Sequence, residues 1–175
     1  VLMRHYPLGY LHHYSSGAEL SAKVLNGVNI LADNVASTLG PRGRTVLLQR
    51  AGTGPFVSKD GVTVADHVVL DDPIENAAVH ILKQASSQTN TLAGDGTTTS
   101  MVLARAILQE AQKHIVAGTP PIEIKRAIDS ATEVLVANLK EASTPIQSEE
   151  DIAHIATISA NNDETIGNLI AKAVD

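Results

Sequence analysis

Cysteine and tryptophan are absent from these 175 residues, and phenylalanine occurs once, at Phe56. Without cysteine there is no disulfide, no zinc–thiolate centre and no cysteine nucleophile. With so few aromatics, any core must be filled by Ala, Val, Ile and Leu, which supply most of the 43% hydrophobic content. Basic residues are also scarce, 13 against 19 acidic ones, for a formal net charge of -6. A protein that grips a nucleic-acid backbone carries a basic face. Arg42-Gly43-Arg44 is too small to make one, so no nucleic-acid partner is expected. No apolar run approaches the roughly 18 residues of a membrane span, so no membrane partner is expected either.

What is present is patterned. The length suits one domain or slightly more, with a core that needs no staples. Leu20, Val24, Val28, Leu31, Val35 and Leu39 recur at steps of three and four, one face of a helix that Gly40-Pro41 ends. Thr45 to Leu48 is a short β-prone run. Pro55-Phe56-Val57 and Val62-Thr63-Val64 flank Ser58-Lys59-Asp60-Gly61, which predicts a small hairpin around an Asp-Gly turn. Asp71-Asp72-Pro73 starts a second helix with Ile74, Ala77, Ala78, Ile81, Leu82 and Ala85 inward.

A third helix starts near Ser100 and turns Val102, Leu103, Ala106, Ile107 and Ala111 inward, ending by Gly118. Pro120-Pro121 opens a fourth, with Ile124, Ala127, Ile128, Ala131, Leu135 and Leu139 inward. Ser148 with Asp151 three residues on resembles a capping box, and Ser159 to Asp163 breaks the last two helical stretches. The expected fold is mainly α, a helical layer with a small β hairpin, and Pro145 is the best domain boundary.

Three loops carry more chemistry than their length requires. They are Thr38-Leu39-Gly40-Pro41, Ser58-Lys59-Asp60-Gly61 and Gly94-Asp95-Gly96-Thr97-Thr98-Thr99. Glycines let a backbone approach a ligand, a helix N-terminus suits phosphate, and Asp95 can hold a hard cation such as Mg²⁺. The plainer reading is three ordinary turns, with a Thr as helix cap. The third loop is not a Walker A loop, since no Lys-Ser/Thr pair follows its glycines. It is not a Rossmann fingerprint, because the glycine spacing differs and no strand precedes it. The residues by themselves leave a phosphate site and ordinary turns both open.

Thr38 to Val46, Lys59 to Val64, Gly94 to Thr99 and Ile158-Ser159-Ala160-Asn161 follow one another in an order and spacing that resembles the group I chaperonins, the sixty-kilodalton heat-shock type. The resemblance covers roughly Gly17 to Asp175. It implies an N-terminal fragment of a larger subunit: an unassigned segment 1–16, the N-terminal half of an equatorial ATP-binding domain over 17–144, and the start of an intermediate domain over 145–175.

The resemblance also implies the site. Thr38, Leu39, Gly40 and Pro41 line the nucleotide, and Lys59 sits by its phosphates. Asp60 polarises the attacking water as the catalytic group. Asp95 holds Mg²⁺, and Gly96, Thr97, Thr98 and Thr99 cradle phosphate oxygens. The implied activity is ATP-dependent protein folding, through ATP binding and hydrolysis, in homo-oligomeric seven-membered rings. The implied partners are non-native clients and a co-chaperonin, in a bacterial cytoplasm or a mitochondrial matrix. Arg42 stands where Lys is common in the family and Ser100 where Ala is common. The segment before Gly17, with three His, three Tyr and no acid, departs most.

The family's client-binding apical domain, the returning half of its equatorial domain and its second catalytic Asp lie outside this sequence. The alternative is therefore a truncated, non-hydrolysing helical interaction module. An unrelated phosphotransferase is remote without a P-loop. The scattered His67, His80, His114 and His154 are read as incidental, and Asp71-Asp72 as helix-start charge rather than a metal pair.

Overall fold

A computed structural model describes residues 13–40, 43–49, 52 and 54–174. Nine elements lie among these residues: α1 (Gly17–Ala36), β1 (Val46–Leu48), β2 (Phe56–Ser58), α2 (Gly61–His67), α3 (Pro73–Ala93), α4 (Thr97–Val116), α5 (Pro121–Ala142), α6 (Glu149–Ser159) and α7 (Glu164–Val174). They fall into two units, divided after Gly118.

In the first unit α1, α3 and α4 pack on one another, and α2 lies against all three and β1. Their common core is Val28, Leu31, Val35, Leu48, Val64, Ala65, Ala78, Val79, Leu82 and Met101. It is aliphatic apart from the thioether, as the composition requires. Each fully buried side chain of this size contributes roughly 1.5–3 kcal/mol.

The α1–α3 crossing is close. A Cβ on Gly27 would lie 2.4 Å from the Glu75 carbonyl oxygen. At the same crossing Lys23 Nζ donates to Asp72 at 2.7 Å, and Asn26 donates to Glu75 at 2.9 Å. Asp72 also caps α3, accepting from the Ile74 and Glu75 N–H groups, with Pro73 in the first turn.

The small β element forms differently from the expected hairpin. β2 pairs antiparallel with β1, Val46 opposite Ser58 and Leu48 opposite Phe56. Val62, Thr63 and Val64 are not its second strand but part of α2. Asp-Gly serves a hairpin turn and a helix cap equally well. Here Asp60 accepts the Thr63 N–H, and burial of Val64 and Ala65 overrides the strand preference of β-branched residues.

The inward faces also shift by about one position. α3 buries Ala78, Val79, Leu82 and Ser86, while Ile81 is exposed. α4 starts at Thr97 rather than Ser100; it buries Met101 and rests Ala104 and Leu108 on the core, while Leu103 and Ile107 stay exposed.

In the second unit α6 and α7 pack on each other across a tight turn. A Cβ on Gly167 would lie 1.9 Å from Thr157 Oγ1 and 2.9 Å from the Ala153 carbonyl oxygen, so these helices touch backbone to side chain. Asn161 and Asn162 take left-handed φ of 57° and 66°, the conformation that Asn tolerates best after Gly. The capping box is present in full: Ser148 accepts the Asp151 N–H at 3.2 Å, and Asp151 accepts the Ser148 N–H at 3.1 Å. α5 buries none of its residues, although its apolar stripe was expected to face inward.

Candidate functional site

All three chemically unusual loops belong to the first unit. The loop after α1 folds back on itself. Thr38 donates its N–H and its hydroxyl to the Val35 carbonyl, at 3.0 and 2.7 Å. Arg44 N–H reaches the Ser37 carbonyl at 2.8 Å, and Gly43 N–H the Gly40 carbonyl at 2.9 Å. Gly40 is left-handed, at φ 80°, and a Cβ on Gly43 would meet the Thr38 carbonyl oxygen at 2.2 Å. Both glycines are thus needed to close the loop. Leu39 and Gly40 are exposed; Pro41 and Arg42 lie outside the described residues.

The second loop leads into α2. Asp60 Oδ2 accepts the Thr63 N–H at 2.8 Å and the Thr63 hydroxyl at 2.6 Å. Its own N–H donates to Ser58 Oγ at 3.0 Å. Partial burial pushes the Asp60 carboxyl up, but the Thr63 hydroxyl and the N–H groups of Thr63 and Val62 outweigh it and hold the group below its ordinary value. Asp60 is therefore a fixed anion at neutral pH. Lys59 beside it is exposed.

The third loop joins α3 to α4. Gly94 closes α3 at φ 71°, its N–H on the Asn90 carbonyl at 2.8 Å. Gly96, at φ 82°, takes the cap position of α4, and no side chain caps that helix. The expected Thr cap is replaced by glycine, with the three Thr inside the first turn. The first N–H groups of α4, including those of Thr97, Thr98 and Thr99, have no intrahelical acceptor. An anion is the natural partner for such an end. Asp95 is exposed and accepts the Gly96 N–H at 2.6 Å. Buried Ser86 anchors the loop from α3, donating to the Thr97 carbonyl at 3.2 Å.

The loops meet at Gly61. A Cβ there would lie 1.9 Å from Thr98 Oγ1 and 3.2 Å from Thr38 Oγ1. Hydroxyls from the first and third loops thus abut the start of α2, and Asp60 and Lys59 are the next residues along the chain. Among the described residues, no group of three His, Asp or Glu could cage a metal there. Mg²⁺ takes one or two carboxylates and completes its shell with water and phosphate oxygens, and the exposed Asp95 is a single carboxylate at the start of α4.

Sequence reasoning passed over Gly61 as a packing position and Thr63 as the second partner of Asp60. The second was legible: an Asp followed three residues later by the donor it caps is a helix-start pattern.

The chain matches the TCP-1/cpn60 chaperonin family over residues 31–175. It belongs to that family. Its fold is similar to the chaperonin gp146 from bacteriophage EL 2 (Pseudomonas aeruginosa), solved in presence of ATP-BeFx, with a TM-score of 0.73 and 25% identity over 90% of this chain. It is also similar to a group III chaperonin in the open state, with a TM-score of 0.76 and 24% identity over 89% of this chain. The chain spans 28% and 31% of the length of those two structures.

Proposed function

We propose that the first unit is the Mg²⁺-ATP site of an ATP-dependent folding chaperone of the group I chaperonin type. The observation that carries the reading is the meeting of Thr38, Gly61 and Thr98 at one point, beside the uncapped N-terminus of α4. ATP is the substrate that these groups suit. The N–H groups and hydroxyls of Thr97, Thr98 and Thr99, with Gly96, hold phosphate oxygens. Thr38, Leu39, Gly40 and Pro41 line the nucleotide, and Lys59 adds positive charge by the phosphates. Asp95 holds Mg²⁺, which neutralises phosphate charge when bound. Asp60, kept ionised and oriented by Thr63, polarises the attacking water. Phosphoryl transfer needs positioning and charge neutralisation more than covalent chemistry, and these groups supply both.

The whole-protein activity belongs to the same proposal. Residues 17–144 form part of an equatorial domain and 145–175 begin an intermediate domain. The assembly is a seven-membered homo-oligomeric ring that encloses non-native clients with a co-chaperonin, in a bacterial cytoplasm or mitochondrial matrix. A second reading, a helical interaction module that does not hydrolyse ATP, is favoured by the open apolar face of α5.

Calorimetry of Mg²⁺-ATP binding tests the first reading. Asp95→Ala is expected to weaken binding about tenfold or more, on the scale of one lost charge-assisted contact, with unchanged helix content. Equal affinity in the variant rejects the Asp95 role. Binding without phosphate release favours the second reading.

A further inference from the structure

α2 is only seven residues long and carries Asp60 at its start. A helix of this length does not hold itself together in water, so its neighbours set its tilt. At the N-terminal end the contact is Gly61 against Thr98 and Thr38. At the C-terminal end it is one side chain from the middle of α3. Lys83 Nζ donates to the Val68 carbonyl at 2.9 Å and to the Asp66 carbonyl at 3.3 Å. These are among the carbonyls that a helix end leaves unpaired, at the negative pole of its dipole. Among the described residues, no hydrogen bond or ion pair joins Lys83 to the proposed nucleotide site, and the sequence reading assigns it no role.

We propose that Lys83 is a positioning residue for the Asp60 end of α2: by clasping the last carbonyls of the helix it fixes the tilt that seats Gly61 against the first turn of α4 and so places Asp60, the residue before it. The significance of that placement rests on the nucleotide reading above; the placement itself does not. Seven residues at about 1.5 Å each separate the clasp from Asp60 by roughly 10 Å. With Val64 and Ala65 seating α2 on the core, a change of tilt at one end moves the other. Burial pushes the Lys83 ammonium down, with the Asp66 charge opposing, as expected for a cation partly withdrawn from water onto neutral carbonyls. The two carbonyls replace part of the water that the ammonium gives up there.

The test is NMR on this chain, comparing wild type, Lys83→Met and Lys83→Arg. Met keeps the stem and removes the ammonium; Arg keeps a charged double donor. In Lys83→Met the Thr63 amide is expected to exchange about tenfold faster, since opening the clasp removes a hydrogen bond to a charged group. The Asp60 carboxyl should titrate closer to its ordinary value as its Thr63 contacts loosen, also in 0.5 M salt, where a bare charge effect from Lys83 is screened. Leu31 and Met101 amides should keep wild-type exchange, and Lys83→Arg should restore both readouts. Unchanged Thr63 exchange and Asp60 titration in Lys83→Met overturns the proposal. So does loosening of Leu31 and Met101 in equal measure, and so does a Met variant that fails to fold while Arg restores nothing. Absence of Mg²⁺-ATP binding by the wild type counts against the nucleotide reading alone, because neither NMR readout uses nucleotide.

Discussion

α1 and α5 are close in length, 20 and 22 residues, and each repeats aliphatic side chains at helical spacing. Yet α1 buries Gly27, Val28, Leu31, Ala32 and Val35, and α5 buries nothing. Leu31 is fully covered; Leu135 is 59% exposed. An amphipathic pattern states that a helix has an apolar face. It does not state what covers that face. For α1 the cover comes from α3 and α4, brought close by Gly27 and tied by Lys23 to Asp72. No residue within the described α5–α7 stretch buries the α5 stripe.

The sharpest form of this contrast is the same substitution in both helices. Leu31→Ala is expected to cost about 3 kcal/mol, within the usual range for a buried leucine, because it leaves a cavity in the core that Leu31 shares with Val35, Val79 and Met101. Chemical denaturation with helix content as the signal measures it. A cost under about 1 kcal/mol would mean that the α1 core is less tightly formed than its burial indicates.

Gly27→Ala follows, with an expected loss of roughly 2 kcal/mol from overpacking. On an exposed helix the change would help, since Ala favours helix over Gly by about 1 kcal/mol. Here the new methyl meets backbone, the Glu75 carbonyl, which cannot rotate away. A gain in melting temperature would show that α1 and α3 cross less closely.

Much of this was legible in advance, and the misses have physical causes. The helical stretches follow from aliphatic periodicity, and the Ser148–Asp151 box from its spacing. The strand reading of Val62 to Val64 failed because β preference is set by what a side chain packs on, and Val64 packs into a helical core. The faces of α3 and α4 slipped because aliphatic residues lie on more than one side of each helix: Ile81, Leu103 and Ile107 are exposed while Leu82 and Met101 are buried, and Ser86 is buried with its hydroxyl on the Thr97 carbonyl. The residues of the candidate site were visible as loops. Their meeting at Gly61 was not, since nothing in a sequence tells which hydroxyl fills the space a glycine leaves.

Acid should act on both units alike. Asp72 in the first unit is held below its ordinary value, foremost by Lys23 and then by the α3 N–H groups. Asp151 in the second is held below it by the Gln147 N–H first, then by Ser148. A carboxyl depressed in the folded state adds stability above its unfolded value of about 3.9, and that stability is lost as pH falls through the folded value. Lys23 has the opposite sign: the Asp72 bond raises it, so its contribution is present at neutral pH and lost only in strong alkali. Helix content followed from pH 6 down to 2 should fall below about 4. Asp72→Asn and Asp151→Asn should each flatten part of that fall. A profile unchanged by Asp72→Asn would show that the Lys23 contact does not persist in solution.

Leu135→Ala on α5 carries the smallest expected effect. An exposed leucine makes few contacts to lose, so stability should stay within about 0.5 kcal/mol of wild type. Alanine also favours helix slightly over leucine, which offsets part of any loss. The visible change should be elsewhere. Ile122, Val134, Leu135, Val136 and Leu139 are all exposed on this helix, and exposed apolar side chains grouped on one face are where a hydrophobic dye or a partner binds. A hydrophobic dye should bind the wild type and bind Leu135→Ala less. If Leu135→Ala instead costs as much as Leu31→Ala, the α5 stripe is covered in solution, and the contrast between the two helices belongs to the isolated chain alone. Dependence of that cost on protein concentration would identify the cover as a second copy, because only an intermolecular contact weakens on dilution.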